Sequence, residues 1–329
     1  MSLRIIKAGV CDTIQDSGRY GYQHLGINPS GVMDRFSAGL ANTLLGKDPN
    51  APVIEMHFPA MRIRFEQPTV ICITGGDFAP SLDGTPLPMN QPVAVNANTV
   101  LKFERLISGA RAYLALLHDF KISAWMSSFS TNMKAGVGGW HGRTLMADDI
   151  LPLSSQWKIN ALPGGEPFHV LAWKAADKVD HRIEIEFLIG SEWHWLTDEA
   201  KENFLESPYQ LSYNTDRMGY PLTGKELELK EKEQLISSAV SFGTIQLLPN
   251  GQLIIFMADL QTTGGYPRIA HVITAHLPIL AQKKANDLIR FVKTDLQTAE
   301  KKMAKQQKYL QQLQIACKFR MEKFVHAAL

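Results

Sequence analysis

The sequence predicts a mainly β protein with a few helices, arranged as two domains. Three observations carry this. Short apolar runs at 63–65, 69–74, 92–95, 100–103 and 112–117 are separated by turn residues such as Thr74-Gly75-Gly76-Asp77 and Leu82-Asp83-Gly84-Thr85. That spacing belongs to a barrel or sandwich and not to alternating βαβ units. The 329 residues are enough for two separate cores. Finally, Arg19-Tyr20-Gly21-Tyr22 returns as Arg217-Met218-Gly219-Tyr220, each downstream of an aspartate and near the start of its half, an echo of two related halves.

Composition bounds the function. A hydrophobic content of 45% and a charged content of 20% describe an ordinary globular chain. The net charge of +2 makes no case for a nucleic-acid surface. The mixed run 225–233 reads as a solvated face. Cys11, Cys72 and Cys317 lie far apart with no metal-type spacing, which suits a reducing compartment. The N-terminus lacks a signal peptide's apolar core, and no apolar run approaches the ~20 residues of a membrane span. The expectation is a cytoplasmic protein with no membrane, nucleic-acid or metal partner.

Taken in order, residues 1–10 read as a strand, followed by a polar constellation of Gln15, Asp16 and Arg19 among glycines. Gly26 and Gly31 bound a second loop leading to a helix capped by Asp34, with Phe36, Leu40 and Leu44 on one face and Gly46 at its end. Asp16, Arg19 and Asp34 either form a buried ion-pair network or present a guanidinium and carboxylates to a substrate. Glu55, inside an apolar run, is either an edge residue or the buried partner of an arginine. Residues 123–153 form a long loop rich in glycine and serine, and loops of that length usually serve a site. His141 within it reads as a surface histidine.

The polar stretch 154–169, with Pro163-Gly164-Gly165, marks a domain boundary, giving domains 1–158 and 165–329. The second half opens with a strand at 181–189. A helix follows from a Thr197 cap through about Leu205. Residues 252–258 read as a buried strand, and Ile269, Val272, Ile273, Leu277 and Leu280 recur at helical spacing after Pro267. On that reading Gln261-Thr262-Thr263-Gly264-Gly265-Tyr266 links a strand to a helix N-terminus: its glycines admit a ligand close to the backbone, and the free N–H groups suit an anion. The alternative is a tight turn with a hydroxyl cap, and no Gly-Lys-Ser/Thr follows to make a P-loop. The tail 295–324 is a helix with Leu296, Met303, Leu310, Cys317 and Phe324 at heptad spacing. Two related halves would set 15–34 and 216–266 across a cleft, a usual place for a ligand.

Together these motifs resemble one family: the KipA-like proteins, or C subunits of 5-oxoprolinase, also described as carboxyltransferase subdomain A/B and allophanate hydrolase subunit 2. The marks are Thr13-Ile14-Gln15-Asp16-Ser17-Gly18-Arg19-Tyr20-Gly21, Ser30-Gly31-Val32-Met33-Asp34, Gly138-Gly139-Trp140-His141-Gly142-Arg143, Asp216-Arg217-Met218-Gly219-Tyr220, Gly243-Thr244-Ile245-Gln246 and Ala258-Asp259-Leu260-Gln261-Thr262-Thr263-Gly264-Gly265-Tyr266-Pro267. The resemblance implies two cyclophilin-like β-barrel domains, the second carrying the C-terminal helix. It implies one component of an ATP-dependent 5-oxoprolinase that opens 5-oxoproline to glutamate, a component inactive alone. Its partners would be the KipI-like and LamB-like subunits, with ATP held by this chain or by a partner. The resemblance also admits a carboxyltransferase component of a biotin-dependent urea or amide carboxylase, or a regulatory module bound to a kinase-inhibitor partner. This chain's nearest string to a biotinylation site, Asn132-Met133-Lys134-Ala135, is not one, so it is expected to carry no biotin. It departs from the family pattern at 116–120, at 128–131, where an arginine is missing, and at 282–286.

Within that reading, residue chemistry assigns roles. Gln15, Asp16, Arg19 and Asp34 line one wall of a site for an amide or lactam, and Arg217, Gln261, Thr262, Thr263 and Tyr266 line the other. The arginines hold a carboxylate or phosphate. Thr262, Thr263, Gly264 and Gly265 supply hydroxyls and N–H groups to a developing oxyanion. Asp16 or Asp259 orients or deprotonates the amide.

Overall fold

The computed structural model describes residues 2–154, 157–162, 166–176, 179–231 and 235–327. They divide into two compact units, one built from Met1–Gly18, Asp34–Val179 and Gln307–Leu329, the other from Arg19–Met33 and Asp180–Gln306. The units therefore differ from the contiguous stretches 1–158 and 165–329, and the Pro163-Gly164-Gly165 turn lies outside the described residues. Packing explains the exchange of segments. Met33 is buried in the core of the second unit, and Arg217 holds the Gly31 carbonyl there. From Gln307 onward the tail belongs to the first unit, where Tyr309 stacks on Phe36, ring centroids 6.2 Å apart, and Gln314 donates to the Lys47 carbonyl at 3.0 Å.

The first unit contains β1 (Ser2–Lys7), β2 (Thr13–Gln15), α1 (Arg35–Leu44), β3 (Val53–His57), β4 (Arg62–Phe65), β5 (Thr69–Asp77), β6 (Pro80–Leu82), β7 (Thr85–Pro86), β8 (Val93–Val95), β9 (Val100–Phe103), β10 (Ser108–Leu116), β11 (Ile150–Pro152) and β12 (Phe168–Val170). They form two six-stranded sheets, ordered β11-β1-β4-β9-β6-β7 and β12-β8-β5-β10-β3-β2. One core takes Leu3, Ile5, Ile63 and Phe65 from the first sheet, and Ile54, Met56, Ile71, Ile73 and Leu114 from the second, following the period-2 alternation of strands. Along β5 the alternate residues Val70, Cys72 and Thr74 are buried as well. Helix α1 covers that face, the Thr74 hydroxyl donating to the Ser37 carbonyl at 2.7 Å. Asp34 caps α1, accepting from the Ser37 N–H at 2.8 Å. Gly46 then turns with φ +72°, and a Cβ there would lie 2.7 Å from the Lys318 Cα, so only glycine lets the tail helix approach.

The second unit contains β13 (Glu184–Ile189), α2 (Asp198–Glu206), β14 (Tyr209–Leu211), β15 (Gly219–Thr223), β16 (Ser238–Ala239), β17 (Thr244–Leu247), β18 (Leu253–Phe256), β19 (Thr263–Gly264), β20 (Arg268–Val272), α3 (Leu277–Ala281) and β21 (Leu288–Lys293). Seven of these strands close a barrel in the order β13-β20-β17-β18-β15-β14-β21, completed by parallel pairing of β13 with β21. Thr197 caps α2 as the sequence predicts, accepting from the Ala200 N–H. Phe204 of α2 stacks on Phe291 with centroids 4.5 Å apart.

One expectation is overturned. The residues after Pro267 form β20, not a helix; helical structure begins only at Thr274. Ile269, Ala270 and Val272 are buried because β20 pairs with β13 on one side and β17 on the other, with a register shift between Ile245 and Gln246. A bulge of this kind turns consecutive residues inward, which from sequence looks like helical spacing. The 261–267 stretch thus joins strand to strand and has no helix N-terminus.

The tail is α4 (Leu296–Ala327). Its buried positions are Cys317, Met321 and Val325, while Leu296 is 61% exposed. The other seam positions are covered, Met303, Leu310 and Phe324 half-buried and Cys317 buried, so the expected heptad seam fails only at its first residue. Among the described residues, no helix is long and apolar enough to cross a membrane.

Candidate functional site

The predicted site residues are divided between the two units. Gln15, Asp16 and Asp34 belong to the first unit; Arg19, Arg217, Asp259 and 261–266 belong to the second.

In the first unit Asp16, almost fully buried, organises the segment 128–131. Its Oδ1 accepts from the Ser128 hydroxyl at 2.7 Å, from the Ser130 hydroxyl, and from the Gly18 N–H at 2.8 Å. Its Oδ2 accepts from the Phe129 N–H at 2.6 Å. Gln15 lies alongside, its Nε2 donating to the Thr131 carbonyl at 3.2 Å. The Thr131 N–H and hydroxyl both donate to the Ile14 carbonyl, at 3.0 and 2.9 Å. The start of the long loop is therefore tied to β2, with Asp16 as an anchor whose oxygens are fully engaged. Asp34 is similarly occupied, its second oxygen accepting from the Ser37 hydroxyl at 2.6 Å. Its N–H donates to the Tyr113 hydroxyl at 2.8 Å, and that hydroxyl donates to Glu55 at 2.9 Å. Glu55 is thus a buried acceptor for a tyrosine. Burial, then the nearby Glu55 and Asp34 carboxylates, push the Tyr113 phenol well above its ordinary pKa.

Further along the loop, Arg143 makes a two-pronged pair with Asp149 at 2.8 and 2.7 Å. Burial raises the Asp149 carboxyl, but Arg143 and the Met146 N–H outweigh it and hold the group at about 2. His141 is exposed, as expected. Lys134 is exposed on the turn closed by the Asn132–Val137 bridge.

In the second unit, Arg217 and Asp259 form a fork. Arg217 Nε donates to Asp259 Oδ2 at 2.8 Å, and a terminal nitrogen donates to Oδ1 at 3.3 Å. The side chains are only 6% and 12% exposed. The pair also captures the loop before Met33. Ser30 donates its hydroxyl to Asp259 at 2.5 Å, Asn28 donates to the Asp259 carbonyl at 3.0 Å, and Arg217 donates to the Gly31 carbonyl at 2.5 Å. Arg19 is buried in the same unit, and its N–H donates to the Pro29 carbonyl at 2.7 Å. The R-x-G-Y echo thus places two arginines in one unit, not one in each.

Asp259 stands two residues before Gln261, so the fork sits at the root of the polar strip 261–266. Gln261, Thr263 and Tyr266 are exposed, and Thr262 is half-buried. The strip is held from behind by a two-stranded ribbon. In it, Ser238 pairs with Gly264 and Ala239 with Thr263, and the Val240 N–H donates to the Thr262 carbonyl at 3.2 Å. Arg268 fastens the ribbon, donating to the Ala239 carbonyl at 3.2 Å while forking onto Glu192 at 3.0 and 2.8 Å. Burial raises the Glu192 carboxyl, and the Arg268 contacts reverse this to leave it below its ordinary value. Gln246, 1% exposed, donates to the Tyr266 carbonyl at 2.8 Å. Burial, then the Arg268 charge, lowers the pKa of His271, whose Nδ1 lies 3.2 Å from the Thr244 hydroxyl.

The arrangement is an exposed row of amide, hydroxyl and phenol groups over a rigid ion-paired base. Sequence reasoning passes over Ser30, Asn28, Glu192, Arg268 and the ribbon 238–240. Their partners lie up to 231 residues away, and the local signals, Ser30 in the Ser30-Gly31-Val32-Met33-Asp34 string and the Pro267-Arg268 junction, do not reveal those contacts. Among the described residues, no group of three or more His, Cys, Asp or Glu side chains is placed to hold a metal ion.

Comparison with known proteins adds to this geometry. The profile of the carboxyltransferase domain, subdomain A and B, matches residues 25–293. A Haemophilus influenzae protein named as the C subunit of 5-oxoprolinase is 36% identical over 301 residues, which cover 92% of this chain and 94% of that one. The Escherichia coli protein of the same name is 35% identical over 311 residues, 94% of this chain and 97% of that one. In three dimensions the chain is similar to the urea carboxylase of Kluyveromyces lactis, with TM-score 0.86 and 25% identity over 95% of this chain. It spans only 29% of that larger chain.

Proposed function

Because the chain belongs to the carboxyltransferase domain, subdomain A and B, family, we propose that it serves as the C subunit of a 5-oxoprolinase, the enzyme that opens 5-oxoproline to glutamate with ATP. One observation carries the reading: the similarity to both proteins of that name runs nearly end to end in each chain. KipI-like and LamB-like subunits complete the enzyme, and this chain alone is inactive.

The groups that contact substrate are those at the surface of the strip: Gln261, Thr262, Thr263 and Tyr266. Their hydroxyls and amide suit a lactam carbonyl, donating to the oxygen as it gains charge. Gly264 and Gly265 keep the backbone bare at that point, which lets the ligand approach closely. Arg217 and Asp259 hold the base of the strip, and Arg19 is buried in the same unit, where its N–H fixes the Pro29 carbonyl. Asp259 spends both oxygens on Arg217 and Ser30, so it orients and does not abstract a proton. In the first unit Gln15, Asp16 and Asp34 set the 128–131 segment and α1, and serve as positioning residues in the same sense.

The strand-to-strand course of 261–267 does not fit a phosphate cradle, which relies on a helix N-terminus or a P-loop. We therefore propose that a partner chain holds ATP. A second reading is favoured by the likeness to urea carboxylase: transfer of a carboxyl group to an amide nitrogen, the donor being carboxybiotin carried by another chain.

The test is glutamate formation from 5-oxoproline and ATP, with this chain alone and with its two partner subunits. Glutamate is expected only in the full mixture. A stable, folded complex that makes none would overturn the proposal in favour of carboxyl transfer or a regulatory role.

A further inference from the structure

We infer that Gln246 is a positioning residue that, together with Gly264, locks the exposed strip 262–266 into its working conformation. Three features of the barrel point to this. Along β17, Ile245 and Leu247 face the core, so Thr244 and Gln246 face outward by strand alternation. Gln246 is nonetheless only 1% exposed, because the strip folds over it. Its direction is set by the irregular pairing of β17 with β20: Ile245 faces Ala270 and Gln246 faces Arg268, leaving Ile269 as an extra residue. Bulges next to functional sites re-aim side chains in this way.

The re-aimed amide meets the strip at two points. Its Nε2 donates to the Tyr266 carbonyl at 2.8 Å, and the next residue continues the anchorage, the Leu247 N–H donating to the Pro267 carbonyl at 3.0 Å. The amide also lies directly under Gly264, where a Cβ would come within 2.6 Å of Nε2 and 3.0 Å of Oε1. Gly264 therefore matters for space and not for a left-handed backbone. Any side chain there would push the amide off the Tyr266 carbonyl. The two residues act as one device: the glycine admits the amide, and the amide fixes the carbonyl beside the exposed Tyr266 ring. A carboxylate at 246 has no N–H to offer and would turn negative charge toward that carbonyl.

The inference rests on reading 261–266 as the substrate-facing strip, and two readouts keep that reading separable from the lock itself. Hydrogen exchange of the 262–266 amides is measured on the isolated chain for Gln246→Ala, Gln246→Glu, Gly264→Ala and the Gln246→Ala/Gly264→Ala double variant. Glutamate formation by the reconstituted complex is measured in parallel, with kcat and KM separated. Exchange is expected to rise about tenfold in each single variant while the thermal midpoint moves little. The rate is expected to fall by about a hundredfold, in kcat more than in KM, as a misplacement of about 1 Å would cause. The double variant is expected to lose no more than the worse single one, because both changes break one lock. Unchanged exchange in Gln246→Ala, or losses that multiply in the double variant, would overturn the inference. If the wild-type complex makes no glutamate while exchange responds as expected, the lock stands and the proposed reaction falls.

Discussion

Removing Asp259 tests how the second unit is held together. Asp259→Ala deletes the acceptor of a fork made at 2.8 and 3.3 Å and leaves the Arg217 guanidinium, 6% exposed, without its carboxylate. Breaking one side of a pair this buried costs about 3–5 kcal/mol, most of it the penalty of a stranded charge. Ser30 loses its acceptor in the same step, a bond to a charged group worth about 1.5–3 kcal/mol when buried. These two contributions overlap, so about 4 kcal/mol is expected in total. Replacing both partners, as in Arg217→Met/Asp259→Ala, removes the stranded charge and recovers about 1–3 kcal/mol of that loss. The assay is urea denaturation of the wild type, both single variants and the double variant, with hydrogen exchange at residues 28–31 as the local readout. An Asp259→Ala variant within about 1 kcal/mol of wild type, or strictly additive losses, would refute the argument that this pair anchors the 28–31 loop.

Other predictions follow from the remaining buried groups. Asp12 is fully buried and accepts from the Met61 N–H at 2.7 Å and the His57 N–H at 3.1 Å; burial pushes its carboxyl up to about 7. The folded chain holds that proton more tightly than the unfolded one, so its contribution is complete below about pH 4 and is lost as pH rises through 7. The loss is at most about 4 kcal/mol, and Asp12→Asn should flatten the slope of the thermal midpoint over that window. Asp16→Ala leaves two hydroxyls and two N–H groups without their acceptor; a loss of about 2–4 kcal/mol and new proteolytic cuts at 128–137 are expected. Gly46→Ala meets both φ +72° and a Cβ 2.7 Å from Lys318, and should lower stability by about 1–3 kcal/mol, read from the unfolding midpoint.

What the sequence by itself determined was local. The strand text of the first half, the Asp34 and Thr197 caps and the tail helix follow from periodicity and capping chemistry, which act over a few residues. The family followed from the order of motifs, each a short string whose residue types are visible without the fold. Tertiary structure decided the rest. Ile269 and Val272 have helical spacing yet form a strand, because a bulge against β17 buries consecutive residues. That is a property of the pairing partner, invisible in the segment itself. Arg19 stands three residues from Asp16 in the chain, yet the two belong to different units. The loop 19–33 goes where Met33 finds its core and Gly31 its donor. Asp16, Asp34 and Asp259 are carboxylates in the sequence and anchors in the structure. What a carboxylate can do depends on whether hydroxyls and N–H groups from distant residues have already filled its oxygens. Residue type states what chemistry is available, and only the folded neighbourhood decides whether that chemistry remains free for a ligand.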